Sequence, residues 1–148
     1  MLEEVFNDEY FMGKALDLAI QAAEEGEVPI GAVVVHGNKI IGKGYNQTER
    51  LKDVTAHAEM LAITAASDYL NSKYLEECTL YVTIEPCTMC AGAIQWSRIG
   101  TLVWGAHEPK FGFNKTTKGL LPKTELKSGV LEEACGEIMK SFFKARRK

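Results

Sequence analysis

The chain has four prolines, four cysteines and three histidines among 148 residues. None of its apolar runs approaches the roughly 18 residues of a membrane span. Each scarcity excludes something. Four cysteines are too few for a disulfide scaffold, and thirteen glycines with four prolines rule out collagen-like or low-complexity character. The amino terminus, MLEEVFNDEY, is acidic and lacks the basic-then-apolar order of a secretory leader. With no paired cysteine framework, it points to a reducing cytoplasm and no membrane partner. What remains is an ordinary globular composition, 46% hydrophobic and 25% charged. One domain over residues 1–148 is expected, large enough to bury a core without covalent support.

Excess basic charge is also missing. Seventeen basic residues against twenty acidic ones give a formal net charge of −3. Taken whole, that argues against a nucleic-acid partner. The distribution changes its meaning. Residues 1–27 hold eight acidic residues and one basic, while the rest of the chain holds twelve acidic and sixteen basic. Lys110, Lys115, Lys118, Lys123 and Lys127 share a segment whose sole acid is Glu125. Lys140, Lys144, Arg146, Arg147 and Lys148 close the chain without an acid among them. The plain reading of either run is a solvated surface. If the fold brings both runs to a functional mouth, they form a local footprint for an RNA backbone.

Hydrophobic periodicity predicts a helix over residues 8–25, capped by Asn7 or Asp8 and ended by Gly26. Two β-branched runs follow, 30–35 and 39–45, joined through His36-Gly37-Asn38 as an antiparallel hairpin. A polar loop leads to an alanine-rich helix over 56–70. Then come a strand over 79–84, a helix over 86–96, a strand over 101–105 and a Gly- and Lys-rich loop. Leu131, Ala134, Cys135, Ile138, Met139, Phe142 and Phe143 mark a final helix. This order implies a sheet with helices on both faces, partly antiparallel and partly parallel.

Two clusters carry chemistry: His57-Ala58-Glu59, and Pro86-Cys87-Thr88-Met89-Cys90. Cys87 and Cys90 share one helix face, and a helix start favours thiolates, the form that binds metal. His57 and Glu59 reach one point only if His57 stands at the entrance of its helix. His57, Cys87 and Cys90 then suit one Zn²⁺ per chain, with an open coordination position. Two thiolates weaken the ion as a Lewis acid, so a carboxylate has to take the proton of the attacking water. Glu59 fits that acid–base role and not a ligand's. The implied reaction is hydrolytic deamination of an amino-substituted ring. Plainer readings stay open: a redox C-x-x-C pair, or a structural zinc that includes Cys78. Cys78 and Cys135 read as small core residues, His36 as a turn residue and His107 as a loop residue.

The ordered pair H-x-E…P-C-x-x-C is the signature of the zinc deaminases. The blocks VPIGAVVV, TAHAE, TLYVTIEPCTMCAGAIQWSRI, WGA and FFKAR, with Tyr45-Asn46, make the chain resemble the bacterial tRNA-specific adenosine deaminases over most of its length. The resemblance implies a cytidine-deaminase-like three-layer α/β/α sandwich with a five-stranded mixed sheet. It implies a zinc held by His57, Cys87 and Cys90, Glu59 as proton shuttle, Asn46 on the target base, and a homodimer. The implied reaction converts adenosine to inosine at the wobble position of a tRNA anticodon loop, where the base leaves its stack cheaply. Glu108, Lys110, Phe143 and Arg146 would face the RNA. The chain departs from the family after Trp104-Gly105-Ala106. An Asp followed by Lys-Gly/Thr-Gly-Ala is usual there, and this chain has Glu108-Pro109-Lys110-Phe111-Gly112-Phe113. A deaminase of a free base such as guanine or cytosine is the second reading, favoured if Phe111 and Phe113 close over a small ligand. A non-catalytic zinc-stabilised nucleic-acid-binding module is the third.

Overall fold

Helix α1 (Asp8–Glu24) begins where the Asn7 side chain accepts a hydrogen bond from Tyr10 N at 2.9 Å. It ends at Glu25, and Gly26 follows with φ +79°. The computed structural model describes residues 5–117 and 119–146. Lys118, Arg147 and Lys148 of the two basic runs lie outside the described residues.

Strands β1 (Gly31–His36) and β2 (Lys39–Tyr45) form the expected antiparallel hairpin. Its two-residue turn, Gly37-Asn38, has positive φ at both positions, +54° and +63°, which fits the right-handed twist of the paired strands. The remaining elements are α2 (Thr48–Leu51), α3 (Ala58–Leu70), β3 (Thr79–Ile84), α4 (Thr88–Ser97), β4 (Thr101–Ala106), α5 (Phe113–Thr116), β5 (Glu125–Ser128) and α6 (Glu132–Arg146). The five strands lie in the order β2-β1-β3-β4-β5. β1 is antiparallel to both β2 and β3, while β3, β4 and β5 run parallel.

Side-chain alternation along the strands divides the core into two layers. Val33, Val35, Tyr81 and Val103 meet Phe11, Met12 and Ala15 of α1 and Cys135 of α6. Their neighbours Ala32, Val34, Leu80, Val82, Leu102 and Trp104 meet Ala58, Ala62 and Ala66 of α3 and Ala91 and Ile94 of α4. The α/β/α sandwich with a mixed five-stranded sheet is thus present. Cys78 and Cys135 are buried, one in each layer, as expected of small core residues.

Sequence patterning had placed β5, α2 and α5 in loops. Every residue of β5 is exposed, so no alternation marks it, and its backbone pairing with β4 alone makes it a strand. The two short helices have too few residues for a periodic signal. In α6 the apolar stripe is only partly covered: Cys135 is buried, while Ala134 and Phe143 are exposed.

Close approach sets the position of α3. A Cβ on Gly42 would stand 2.3 Å from Ala62 O, and one on Gly44 would stand 2.4 Å from Ala58 O. Glycine at both positions of β2 and alanine at every fourth position of α3 let the helix lie directly on the strand. The start of α3, and with it His57 and Glu59, is fixed by that packing.

Candidate metal centre and active site

The register of the sheet gathers four connections at one end. Gly31 pairs with Tyr45, Ala32 with Val82, and Ile84 with Ala106. The segments before β1, after β2, after β3 and after β4 therefore share that end. For the parallel strands β3 and β4 it is the carboxyl end, the usual place for ligands in such sheets.

His57 is the N-cap residue of α3, with extended backbone (φ −77°, ψ 153°), and so stands at the helix entrance as the sequence required. Its neighbour Ala56 is held by the Asn46 loop, since Gln47 N donates to Ala56 O at 3.0 Å. Cys87 is the N-cap residue of α4 and Cys90 lies one turn inside it, with Pro86 just before the cap. The His57 Nδ1 atom lies 3.7 Å from Cys87 Sγ and 3.5 Å from Cys90 Sγ. All three donor atoms lie within 4.8 Å of one another. A tetrahedral zinc, with Zn–S near 2.3 Å and Zn–N near 2.05 Å, spaces N and S by about 3.6 Å. The donor set and its spacing fit that ion.

Electrostatics agree with a cation here. The Cys90 thiol hydrogen-bonds Cys87 and holds it down to about 4, despite its partial burial. The same contact, with burial, pushes Cys90 up. The pair thus keeps one negative charge between its two sulfurs, and a divalent cation is what allows both to become thiolates. Cys87 also raises the His57 imidazole above its ordinary value.

Glu59 sits in the first turn of α3 and is 3% exposed. Burial pushes its carboxyl up to about 7. Its Oε1 is buried with no hydrogen-bond partner, and the same holds for Oδ1 of Asn46. Buried polar atoms without partners are rare and costly, and both belong to the segments that converge on the triad. Glu59 lies outside the donor triad.

Cys78 does not join the triad. It stands just before β3, whereas Cys87 follows the other end of that strand, some 20 Å away at about 3.3 Å per residue. A structural zinc that includes Cys78 is excluded. Phe111 and Phe113 do not close over a ligand either. Phe113 is 1% exposed and packs edge-on against Trp104 at 5.5 Å, while Phe111 is 68% exposed.

The residues expected at RNA are divided. Glu108 and Lys110 lie in the loop after β4, which a backbone bridge between Gly112 and Cys87 fastens to the ligand segment. Glu108 Oε2 accepts from the backbone N–H groups of Lys110 and Phe111. Arg146 lies over the Phe142 ring at 4.4 Å and donates to Gly26 O in the turn after α1. Phe143 is partly exposed on α6, edge-on to Phe142. The basic segment 110–127 is split as well. Lys123 lines a cavity with Arg98 and Gly100 at the opposite end of β4, and Lys127 pairs with Asp8 at 3.7 Å. A groove between the Glu108 loop and α6 is lined by Glu108, Glu132, Glu133 and Glu137 together with Lys140. The two basic runs therefore do not form one footprint at the site among the described residues.

Sequence reasoning missed two buried carboxylates, Glu27 and Glu85. Glu27 accepts from Glu49 N at 3.1 Å and Arg50 N at 2.8 Å, fixing the connection after Asn46. Glu85 does the same for the loop after β4, accepting from Glu108 N and Asn114 N. The available signal was a charged residue at the edge of an apolar strand block, directly beside a motif.

Comparison with known proteins agrees with this geometry. The chain matches the MafB19-like deaminases over residues 6–147. It is 47% identical over 145 residues to a tRNA-specific adenosine deaminase of Aquifex aeolicus (strain VF5), covering 94% of this chain and 95% of that protein. It is 45% identical to the chloroplastic tRNA(adenine(34)) deaminase of Arabidopsis thaliana, of which it spans 12%. A solved structure of a tRNA:A34 deaminase, from work on A-to-I editing at the wobble position of transfer RNA, superposes with a TM-score of 0.83. The two are 41% identical, and the match covers 87% of this chain and 98% of that one. Fold and site together define a deaminase. The chain belongs to the MafB19-like deaminase family, in the branch of the tRNA-specific adenosine deaminases.

Proposed function

We propose that this chain deaminates adenosine to inosine at the wobble position of a tRNA anticodon loop. The observation that carries the reading is the buried Glu59 Oε1 without a partner, beside a three-donor His/Cys/Cys group. A purely structural metal would leave that costly carboxylate without a purpose. His57, Cys87 and Cys90 hold one zinc ion, which when bound supplies the Lewis acidity that makes water a nucleophile near neutral pH. Asn46 presents its free Oδ1 to the adenine and orients it. Glu59 accepts one proton from the attacking water at Oε1 as the new C6–O bond forms, and passes it to ring N1. The freed carboxylate then takes the second proton from the C6 hydroxyl and delivers it to the amine; the C6–N bond breaks, ammonia leaves and the C6–O bond becomes the carbonyl of inosine. Burial, which raises the Glu59 carboxyl above its ordinary value, suits a group that must both accept and return a proton.

Glu108 and Lys110, on the loop bridged to Cys87, and Phe143 and Arg146 on α6 contact the RNA in this reading. The anticodon loop costs little to unstack, so the base reaches the pocket cheaply. The enzyme works in the cytoplasm as a homodimer, for which exposed Leu51, Val54 and Trp96 offer apolar area to a second copy. No helix among the described residues is long and apolar enough to cross a membrane. Phe111 is exposed and Phe113 is bound in the core, so neither supplies the closure over a small ligand that would favour the free-base reading.

One assay tests the reading. Zinc-loaded protein is incubated with tRNA, adenosine, guanine and cytosine, and inosine and ammonia are measured. Inosine in tRNA alone is expected. Ammonia from a free base, with none from tRNA, overturns the reading.

A further inference from the structure

The backbone after β3 and the loop after β4 are laced together around one side chain. Glu85 N donates to Ala106 O at 2.8 Å, and Phe113 N donates to Pro86 O at 2.9 Å. Gly112 bridges Cys87. Inside this lacing, the Glu85 side chain is 4% exposed. Its Oε1 accepts from Glu108 N at 3.2 Å, and its Oε2 accepts from Asn114 N at 3.0 Å. His107 Nδ1 also stands 3.4 Å from Oε1, and 3.3 Å from Trp104 Nε1. At the loop's far side, a Cβ on Gly112 would stand 2.5 Å from both Cδ and Oε2 of Glu85, and 2.7 Å from Glu108 O. Only a glycine lets the loop close this tightly on the carboxylate.

We infer that Glu85 is the positioning residue for the loop that flanks the candidate metal centre and meets the substrate there. Its two oxygens tie down both ends of the segment that carries Glu108, Lys110 and Phe111. It fixes where they stand relative to Cys87. The residue belongs to neither the donor triad nor the acid–base machinery, so its effect falls on substrate capture and not on the chemical step. A carboxylate accepting two backbone N–H groups suits a fixed loop better than a carboxamide does. An amide at this place turns one donor toward a backbone donor.

The inference rests on the RNA-deaminase reading, and the experiment separates the two. Wild type, Glu85→Gln, Glu85→Asp and Gly112→Ala are loaded with zinc. Each is assayed on an anticodon stem-loop RNA with adenosine at the wobble position, and metal content is measured on the same samples. Glu85→Gln is expected to raise KM about 10-fold with kcat within about threefold of wild type and one zinc per chain retained. Glu85→Asp, which keeps both acceptors on a shorter arm, recovers part of the KM. Gly112→Ala, which intrudes on the same carboxylate, repeats the Glu85→Gln signature and serves if that variant fails to fold. Unchanged KM in both Glu85→Gln and Gly112→Ala, with wild type active, overturns the inference alone. A fall in kcat accompanied by loss of zinc assigns Glu85 to the metal segment and also overturns it. Wild type that leaves the adenosine intact overturns the underlying reading, and the inference with it.

Discussion

Gly44 and Ala58 stand so close that the strand and the helix touch backbone to backbone. A Cβ on Gly44 would lie 2.4 Å from Ala58 O, 2.9 Å from Ala62 N and 2.9 Å from Leu61 Cβ. Ala58 lies between His57 and Glu59, so this contact sets the height of both side chains together. Gly44→Ala must push α3 away from β2. It is expected to cost about 1–3 kcal/mol, as overpacking does, and to lower turnover more than a comparable core substitution elsewhere. Gly92→Ala in α4 is the control, because a Cβ there meets nothing within 4 Å. That change should stabilise by about 0.5–1 kcal/mol through helix propensity. Thermal melts of the two variants should move in opposite directions.

Glu59→Gln retains the shape of the side chain and removes the carboxylate proposed as the base. Turnover should fall by at least about 10²–10⁴ while metal content stays at the wild-type level. The carboxyl lies outside the donor triad, and Oε1 has no protein partner to lose. Measured kcat with metal analysis on the same sample decides it. Retained turnover removes Glu59 from the mechanism, and lost metal makes it a ligand.

The cysteines separate by position. Cys87→Ser and Cys90→Ser each remove a donor from the triad and should abolish tight zinc binding. Cys78→Ser, at the other end of β3, should leave one zinc per chain and cost only the stability of a small buried residue given a hydroxyl, about 1–3 kcal/mol. Metal analysis after dialysis against a weak chelator reads the difference directly.

How much of this was legible in the sequence follows from the range of each interaction. That His57, Cys87 and Cys90 would come together was readable because helix starts place them by local rules: cap position and spacing decide which way they face. The central strands were readable from β-branched runs. β5 was not, since its four exposed residues carry no alternation and the ladder with β4 is all that forms it. Glu27 and Glu85, marked only by their place beside an apolar strand block, were missed for a related reason. A glutamate in sequence reads as solvated, and only tertiary structure brings Glu49 and Arg50 N–H groups to the one, and Glu108 and Asn114 N–H groups to the other. Net charge misled in both directions. The whole-chain value hid the basic segments, and the segments themselves scatter once Lys123 and Lys127 are placed.

Salt dependence tests that scatter. Each Lys or Arg that neutralises a phosphate releases counterions, so binding weakens with salt in proportion to the number of such contacts. Lys110 sits on the loop bridged to Cys87, whereas Lys123 lines a cavity at the opposite end of β4. Lys110→Ala should weaken binding of the anticodon stem-loop and make the slope of log K against log salt shallower by about 0.7–1. Lys123→Ala should leave that slope unchanged on the same short RNA. Titrations at several salt concentrations, in a Glu59→Ala background that prevents turnover, give both slopes. If the two variants shift the slope equally, the RNA path extends across the molecule. The rim of the His57/Cys87/Cys90 site would then not be the main electrostatic contact.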